Sequence, residues 1–256
     1  MTPELILALC GFAFLAGFVD SVVGGGGLIQ VPALLVLLPG YPVATLFGTN
    51  KAASIWGTAV AAWGYARHIG TPWRSVLPMA LAALVFGFIG AAALSHLDNA
   101  LLKPIILGVL VLVLGYTLWK KDFGKLHAPR LSTLQQILVG VIAGSSIGFY
   151  DGFLGPGTGS FLVLAFVGLF GFSFLHASAS AKAVNVITNF AALAYFLSHG
   201  SVLWQFAIPM AACNVAGSLV GTRMAIRRGA GFVRGMFIVV VGLLILRLGW
   251  DVWRQT

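Results

Sequence analysis

The chain has 256 residues, of which 59% are hydrophobic and only 8% charged, and its formal net charge is +9. Soluble domains carry about 25% charged residues, so this composition excludes a soluble globular protein. The basic residues are spread over short segments between apolar runs rather than gathered in one patch. The positive charge therefore does not indicate nucleic-acid binding.

Apolar runs follow one another along the chain, and several approach the roughly 20 residues with which a helix spans a bilayer. In chain order they are Leu5–Val23, Ala52–Tyr65, Val76–Leu94, Leu101–Trp119, Leu134–Leu154, Ser160–Phe174, Ala177–Leu197, Val202–Val220 and Phe232–Trp250. They predict an all-α polytopic membrane protein. The first run lacks a preceding basic segment, so we do not expect it to be a cleaved signal peptide.

The second half of the chain repeats the first at a constant offset of 131 positions. Identical residues recur at this offset, including Asp20 and Asp151, Lys51 and Lys182, His68 and His199, Trp73 and Trp204, and Pro78 and Pro209. Such duplication is typical of secondary transporters, whose binding site lies between the repeats. We predict a first repeat at 1–122, a basic cytoplasmic linker at 123–131 and a second repeat at 132–256. Together they form one integrated transport domain.

The basic residues predict the orientation of the two repeats. Ten of the 15 Lys and Arg residues lie in three loops: Arg67 and Arg74; Lys120, Lys121, Lys125 and Arg130; and Arg223, Arg227, Arg228 and Arg234. The positive-inside rule assigns these loops to the cytoplasm. The repeat-equivalent loops Leu94–Leu101 and Ser198–Leu203 contain no Lys or Arg. We therefore expect inverted repeats in a bacterial cytoplasmic (inner) membrane, with both termini outside.

Two glycine-rich runs occupy equivalent positions in the repeats. We interpret each run as the tip of a Gly-broken helical hairpin followed by three transmembrane helices, which gives roughly eight to ten membrane segments. A broken helix exposes backbone N–H groups, which are tolerated only around a protein-lined cavity and which attract anions. Close helix packing is the alternative role for such glycines. The predicted substrate-binding residues of the two runs are Gly24, Gly25, Gly26, Gly27, Gly155, Gly157, Thr158 and Gly159.

Four charged residues lie inside apolar segments: Asp20, Lys51, Asp151 and Lys182. A charge costs roughly 2.5–3.5 kcal/mol at a membrane helix centre, so these residues are expected to be paired or functional. In the structural interpretation, each hairpin is fixed to the following helix, with Asp20 paired to Lys51. In the functional one, the lysines attract an anionic substrate to which Asn50 and Asn185 donate. The acids either carry protons or cap the hairpin breaks, and we favour the capping role.

Three motifs together resemble the signatures of the TauE/SafE sulfite exporter family. Gly17-Phe18-Val19-Asp20 with its glycine run resembles the first signature, Thr49-Asn50-Lys51 the following polar motif, and Gly148–Phe153 with Gly155–Gly159 the second signature. The resemblance implies a bacterial inner-membrane permease for sulfite, organosulfonates or related carboxylates. Pro156 stands where the first repeat has glycine. We therefore do not expect the two half-sites to be equivalent.

We predict a secondary transporter and not an enzyme. Its partners are a small anionic substrate and the lipid bilayer, with no cofactor, metal ion or nucleic acid, and a homodimer is left open. A passive anion channel is the alternative, and it would lack saturation and gradient coupling. An intramembrane aspartyl protease is a weaker alternative, since its Gly-x-Gly-Asp element is missing: the run Gly24–Gly27 follows Asp20.

Overall fold

The computed structural model describes residues 3–94 and 131–253, and the regular elements of these residues are α-helices. The first half contains α1 (Pro3–Val23), α2 (Gly27–Leu37), α3 (Val43–His68) and α4 (Trp73–Leu94). The second half contains α5 (Thr133–Phe153), α6 (Thr158–Gly168), α7 (Phe174–Ser198) and α8 (Trp204–Trp253). The all-helical prediction is confirmed for these residues. The predicted span Leu101–Trp119 and nearly all of the linker 123–131 lie outside the described residues.

The sequence repeat is also a repeat of helix positions. Helices α2, α3 and α4 begin at Gly27, Val43 and Trp73, and α6, α7 and α8 begin 131 positions later. The short helices α2 and α6 both contain 11 residues. The glycine runs precede these two helices, so the predicted breaks fall at the same place in each half.

Helix length separates membrane-crossing helices from half-length arms. Among the described helices, α1, α4 and α5 are long and apolar enough to cross a membrane. Helices α3 and α7 contain 26 and 25 residues and carry Lys51 and Lys182. An 11-residue helix is only about 16 Å long, whereas the hydrocarbon core is about 30 Å thick. Neither α2 nor α6 can therefore cross the membrane alone.

Each half contains a glycine break between its first two helices. Gly24 and Gly155 have φ values of 81° and 78°, in the left-handed region that glycine adopts without a steric penalty. After the first break, α2 runs back along α1, since Leu34 lies in one buried cluster with Leu9 and Ala13. Helices α1 and α2 thus form the predicted hairpin.

The two halves pack against each other by exchanging equivalent contacts. The largest interfaces between the halves join α4 to α5 and α1 to α8. Gly17 of α1 lies directly against the backbone of Asn214 in α8. Gly148, the equivalent of Gly17, lies against the backbone of Ala83, the equivalent of Asn214. The same contact is made twice with the halves exchanged, as at a self-complementary two-fold interface.

One segment prediction from apolar composition is wrong. The run Ser160–Phe174 is not one helix, because α6 ends at Gly168 and a turn with a left-handed Gly171 follows. The predicted break before the last span is present but short: α8 consists of two helices that meet at a kink, where Gly229 has non-helical backbone angles (φ 71°, ψ −167°). Arg227 and Arg228 directly precede this kink.

Candidate functional site

A polar cavity of about 30 Å³ lies where the two glycine breaks meet. The backbone of Gly24 packs directly on that of Gly159. The Ser160 amide donates to the Gly24 carbonyl at 3.0 Å. Gly27 lies against Pro156, so both breaks contribute to one contact region. The glycine runs of the two halves therefore converge.

Most of the predicted site residues line this cavity. They are Asp20, Gly24, Gly26, Gly27, Asn50, Lys51, Asp151, Gly155, Gly157, Thr158, Gly159 and Asn185. Gly25 and Lys182 are also buried but do not belong to the lining. The sequence therefore predicts the membership of the cavity well, while the binding role of these residues stays a prediction.

The buried ion pairs connect the two halves. Lys51 Nζ lies 2.6 Å from Asp151 Oδ2, and Lys182 Nζ lies 2.8 Å from Asp20 Oδ2. The expected pairing of Asp20 with Lys51 inside one repeat is therefore wrong. The two pairs are equivalent at the 131-residue offset with the halves exchanged. Ion pairing thus ties the first half to the second.

The predicted capping of the breaks by these carboxylates is also wrong. Neither α2 nor α6 has a side-chain cap at its N-terminus, and both carboxylates accept from lysines instead. Each carboxylate binds a lysine ammonium rather than the backbone N–H groups of the break, because leaving a buried charge unpaired costs far more than leaving an amide unpaired. The acids therefore do not neutralise the helix ends that face the cavity.

The two breaks satisfy their backbone groups differently. The last carbonyls of α1 accept from distant hydroxyls: Tyr65 Oη to Ser21 (2.9 Å), Ser178 Oγ to Val22 (2.9 Å) and Ser160 Oγ to Val23 (3.0 Å). The second break is satisfied locally, by Thr158 Oγ1 donating to Gly155 (2.7 Å) and Tyr150 Oη to Pro156 (2.6 Å). The two breaks thus differ in their hydrogen bonding, while a difference between the half-sites in substrate binding stays a prediction. At the start of α6 the Ser160 amide already donates to the Gly24 carbonyl. The start of α2 is therefore the more open helix end.

Gln30 presents an unpaired donor at this open helix end. Its side chain lines the cavity and is only 1% exposed. Asn214 Nδ2 donates to Gln30 Oε1 at 3.1 Å and to the Ala13 carbonyl at 3.2 Å, which fixes the Gln30 amide. Gln30 Nε2 has no hydrogen-bond partner among the described residues. Such a buried donor costs about 1–3 kcal/mol, so its position favours a ligand that accepts a hydrogen bond.

A chain of hydrogen bonds links the two ion pairs. Lys51 Nζ donates to Asn189 Oδ1 at 3.0 Å, and Asn189 Nδ2 donates to Thr58 Oγ1 at 3.4 Å. Thr58 Oγ1 lies 3.3 Å from Asp20 Oδ2 and 2.9 Å from the Ser54 carbonyl oxygen. Either oxygen can accept a hydrogen bond from the Thr58 hydroxyl. Thr58 and Asn189 are themselves repeat equivalents. The network therefore crosses from one half to the other.

Five further residues line the cavity and are not among the predicted binding residues: Gln30, Ser54, Thr58, Asn189 and Asn214. Helical spacing could have found some of them. Ser54 and Thr58 follow Lys51 by three and seven positions, as Asn185 and Asn189 follow Lys182. These spacings place side chains on one helix face. Gln30 and Asn214 carry a weaker signal, since each is an isolated amide in an apolar helix.

Comparison with known proteins gives matches over nearly the whole chain. The family described as "Sulfite exporter TauE/SafE" matches residues 9–248. The chain is 36% identical over 250 residues to "Probable membrane transporter protein ORF9" of Sinorhizobium sp, covering 96% of this chain and 92% of that protein. It is 33% identical to a "Probable membrane transporter protein" of Haemophilus influenzae, covering 97% and 96%. It is also 33% identical to "Probable membrane transporter protein YfcA" of Escherichia coli K12, covering 98% and 92%. No solved structure matches.

Proposed function

Because the chain belongs to the TauE/SafE sulfite exporter family of membrane transporters, we propose that it is a secondary transporter of small anions. The proposed substrates are sulfur oxoanions, organosulfonates and related carboxylates, and the proposed binding site is the cavity between the glycine breaks. One observation carries the proposal: Gln30 Nε2, a donor with no partner in the described part of the chain, lies in the same cavity as the open start of α2 and Lys51.

The chemistry of the cavity suits an anion. Its acids are already bonded to lysines, so the groups left to attract a ligand are mainly amide and backbone donors. The start of α2 adds about half a positive charge from its aligned peptide groups. Sulfonate and carboxylate oxygens accept hydrogen bonds from such donors and are held strongly because they are charged. Lys51 also lines the cavity, where Asp151 balances its charge.

Substrate binding requires the cavity to widen. Its volume of about 30 Å³ is small beside the roughly 300–1,000 Å³ of typical ligand pockets. The contact of Gly24 with Gly159 closes the space between the two breaks. We therefore expect the halves to separate at these glycines when the site opens. A movement of one half against the other is the usual basis of alternating access.

The reciprocal contacts and ion pairs support an inverted repeat. Two halves related by a two-fold axis in the membrane plane make every contact twice, as Gly17 and Gly148 do. In this arrangement each half consists of a hairpin with a re-entrant second arm, followed by three spanning helices. The cavity then lies on the axis and can be opened from either side.

The proposed orientation leaves both termini outside a bacterial inner membrane. Arg67 lies in the last turn of α3, Arg74 in the first turn of α4 and Arg227 near the kink of α8, so all three are expected in the cytoplasm. A reporter that is active only outside the cytoplasm should work when fused after Thr256. A cytoplasm-dependent reporter at the same position serves as the control. Activity of the cytoplasmic reporter would contradict this orientation.

Two other functions have less support. An aspartyl protease needs two carboxylates that share a proton, whereas Asp20 and Asp151 are each bonded to a lysine of the opposite half. A passive anion channel needs a continuous pore, and the glycine breaks are in contact. Saturable exchange of labelled anion across a proteoliposome membrane would distinguish a transporter from a channel.

The proposed binding site predicts a larger effect on binding than on stability for Gln30→Leu. The substitution removes an unpaired buried donor but also the Oε1 acceptor of Asn214, so the two effects on the ligand-free protein oppose each other and its melting temperature should change little. Loss of a hydrogen bond to a charged ligand, about 1.5–3 kcal/mol, should weaken anion binding by about 10-fold to 100-fold. The measurement is a thermal-shift titration of purified protein with sulfite, methanesulfonate, sulfoacetate and acetate.

Ser180→Ala is the matched control for this titration. Ser180 Oγ is also buried without a partner among the described residues, but it does not line the cavity. Its removal should leave the anion-induced shift unchanged. Equal anion-induced shifts in wild type and Gln30→Leu would mean that the anion binds elsewhere. Absence of any shift in wild type would argue against these anion classes.

A further inference from the structure

We propose that Asp20 is the proton-binding group that couples transport to a proton gradient, and that one proton crosses with each monovalent anion. This inference rests on the proposed anion transport. It begins with the charge of the closed site, where two aspartates and two lysines sum to zero. An entering monoanion leaves one net negative charge in a buried space. One proton taken up by a carboxylate, converting it to a neutral carboxylic acid, restores the balance.

Exposure distinguishes Asp20 from Asp151. The Asp20 side chain is 14% exposed, whereas that of Asp151 is 2% exposed and its lysine partner 3%. Asp20 also lines the cavity, while its partner Lys182 is fully buried behind it. A proton that arrives through the cavity with the anion therefore reaches Asp20 more readily.

The surroundings of Asp20 contain few other titratable groups. Helices α2 and α6, which pack on α1, contain no titratable side chain. Helix α7 contributes Lys182, and α8 turns the neutral Asn214 and Ser218 towards α1. Helix α3 contributes Tyr65, whose hydroxyl donates to the Ser21 carbonyl, and Lys51 through the hydrogen-bond chain. Asp151 faces the cavity from α5 but is held by Lys51. Among the described residues, Lys182 is thus the charged group in direct contact with Asp20.

The hydrogen-bond chain connects the anion to this proton. Lys51, which the anion would approach, donates to Asn189, which donates to Thr58 beside Asp20. When Asp20 is ionised, the Thr58 hydroxyl can donate to it. When Asp20 is protonated, the same hydroxyl can donate to the Ser54 carbonyl at 2.9 Å and accept from the new acid. The Thr58 hydroxyl therefore has a hydrogen-bond acceptor in both protonation states of Asp20.

The test uses wild-type protein in proteoliposomes with radiolabelled methanesulfonate and sulfoacetate. Methanesulfonate stays a monoanion at any pH near neutrality. Exchange of labelled for unlabelled anion without a gradient tests the proposed function alone. An inward proton gradient of one pH unit, with the membrane potential clamped to zero, should then drive about tenfold accumulation of methanesulfonate. Failure of exchange with both probes contradicts the proposed function and removes the basis for coupling. Exchange without pH-driven accumulation, or accumulation driven only by sodium, overturns the proton proposal.

Variants test which residue binds the transported proton. Asp20→Asn should lower pH-driven accumulation by a larger factor than it lowers exchange. Because this substitution leaves Lys182 without its carboxylate, the double variant Asp20→Asn/Lys182→Met, which removes both charges of the pair, is measured beside it. Thr58→Val, which keeps both ion pairs, should lower the accumulation ratio towards one, so a folding defect of Asp20→Asn does not leave the proposal undecided. Ser146→Ala is the control, since it removes an exposed hydroxyl that bonds only within its own helix. Full accumulation by Asp20→Asn or Thr58→Val would overturn the assignment. Selective loss of accumulation in Asp151→Asn would move the proton to that residue.

Discussion

Lys51→Met should prevent accumulation of folded protein, and adding Asp151→Asn to the same chain should restore it. The single substitution leaves the 2%-exposed Asp151 carboxylate without its cation. Breaking a buried pair in this way costs about 3–5 kcal/mol, whereas removing both charges is nearly neutral. The measurement is the yield and melting temperature of monodisperse protein in detergent. Transport need not be restored, because Lys51 also lines the cavity.

The mismatched double variant makes this prediction specific to the exchanged pairing. Lys51→Met combined with Asp20→Asn leaves Asp151 and Lys182 both unpaired, so it should be less stable than Lys51→Met alone. Rescue by Asp20→Asn and not by Asp151→Asn would mean that the pairs form within each half. That outcome would contradict the connection of the two halves through their charges.

Gly24→Ala should destabilise the protein far more than Gly70→Ala. Both glycines have nearly the same left-handed φ, 81° and 80°, so both substitutions incur about 1–2 kcal/mol of backbone strain. A Cβ at Gly70 meets nothing within 4 Å, whereas one at Gly24 collides with the Gly159 backbone. Forcing these backbones apart should add about 1–3 kcal/mol or more.

This comparison isolates the contact between the two breaks. Melting temperatures of the purified variants should fall slightly for Gly70→Ala and severely for Gly24→Ala. Gly159→Ala, which meets the same contact from the other side, should resemble Gly24→Ala. Equal, small effects at Gly24 and Gly70 would show that the breaks do not touch in the folded protein.

Local sequence signals predict most of the fold and of the cavity lining. The 131-residue offset anticipates the matching starts of α2 and α6, because helices commonly end at a glycine in the left-handed region. Hydropathy places the start of α3 too late, at Ala52 rather than Val43, because Thr49, Asn50 and Lys51 interrupt the apolar pattern. These residues are buried in the protein, so the helix continues through them without meeting lipid.

The pairing of charges could not be predicted in the same way. Proximity in sequence favours Asp20 with Lys51, and the choice of Asp151 depends on how the two halves dock. Gln30 was missed for a related reason: a lone amide in α2 is informative only once Asn214 is known to hold one end of it. Side chains that share one face of a helix can thus be predicted from sequence spacing, whereas contacts between the halves depend on how the helices assemble.

Anion binding between the two glycine breaks is tested most directly by a crystal structure of the protein with 2-bromoethanesulfonate. The bromine can be located by its anomalous scattering. We predict a bromine peak between Gly24 and Gly155, with the sulfonate against Gln30 Nε2 and the start of α2, in a cavity wider than the present 30 Å³. A ligand bound only at the basic residues near the α8 kink, with the glycine breaks still in contact, would contradict the claim.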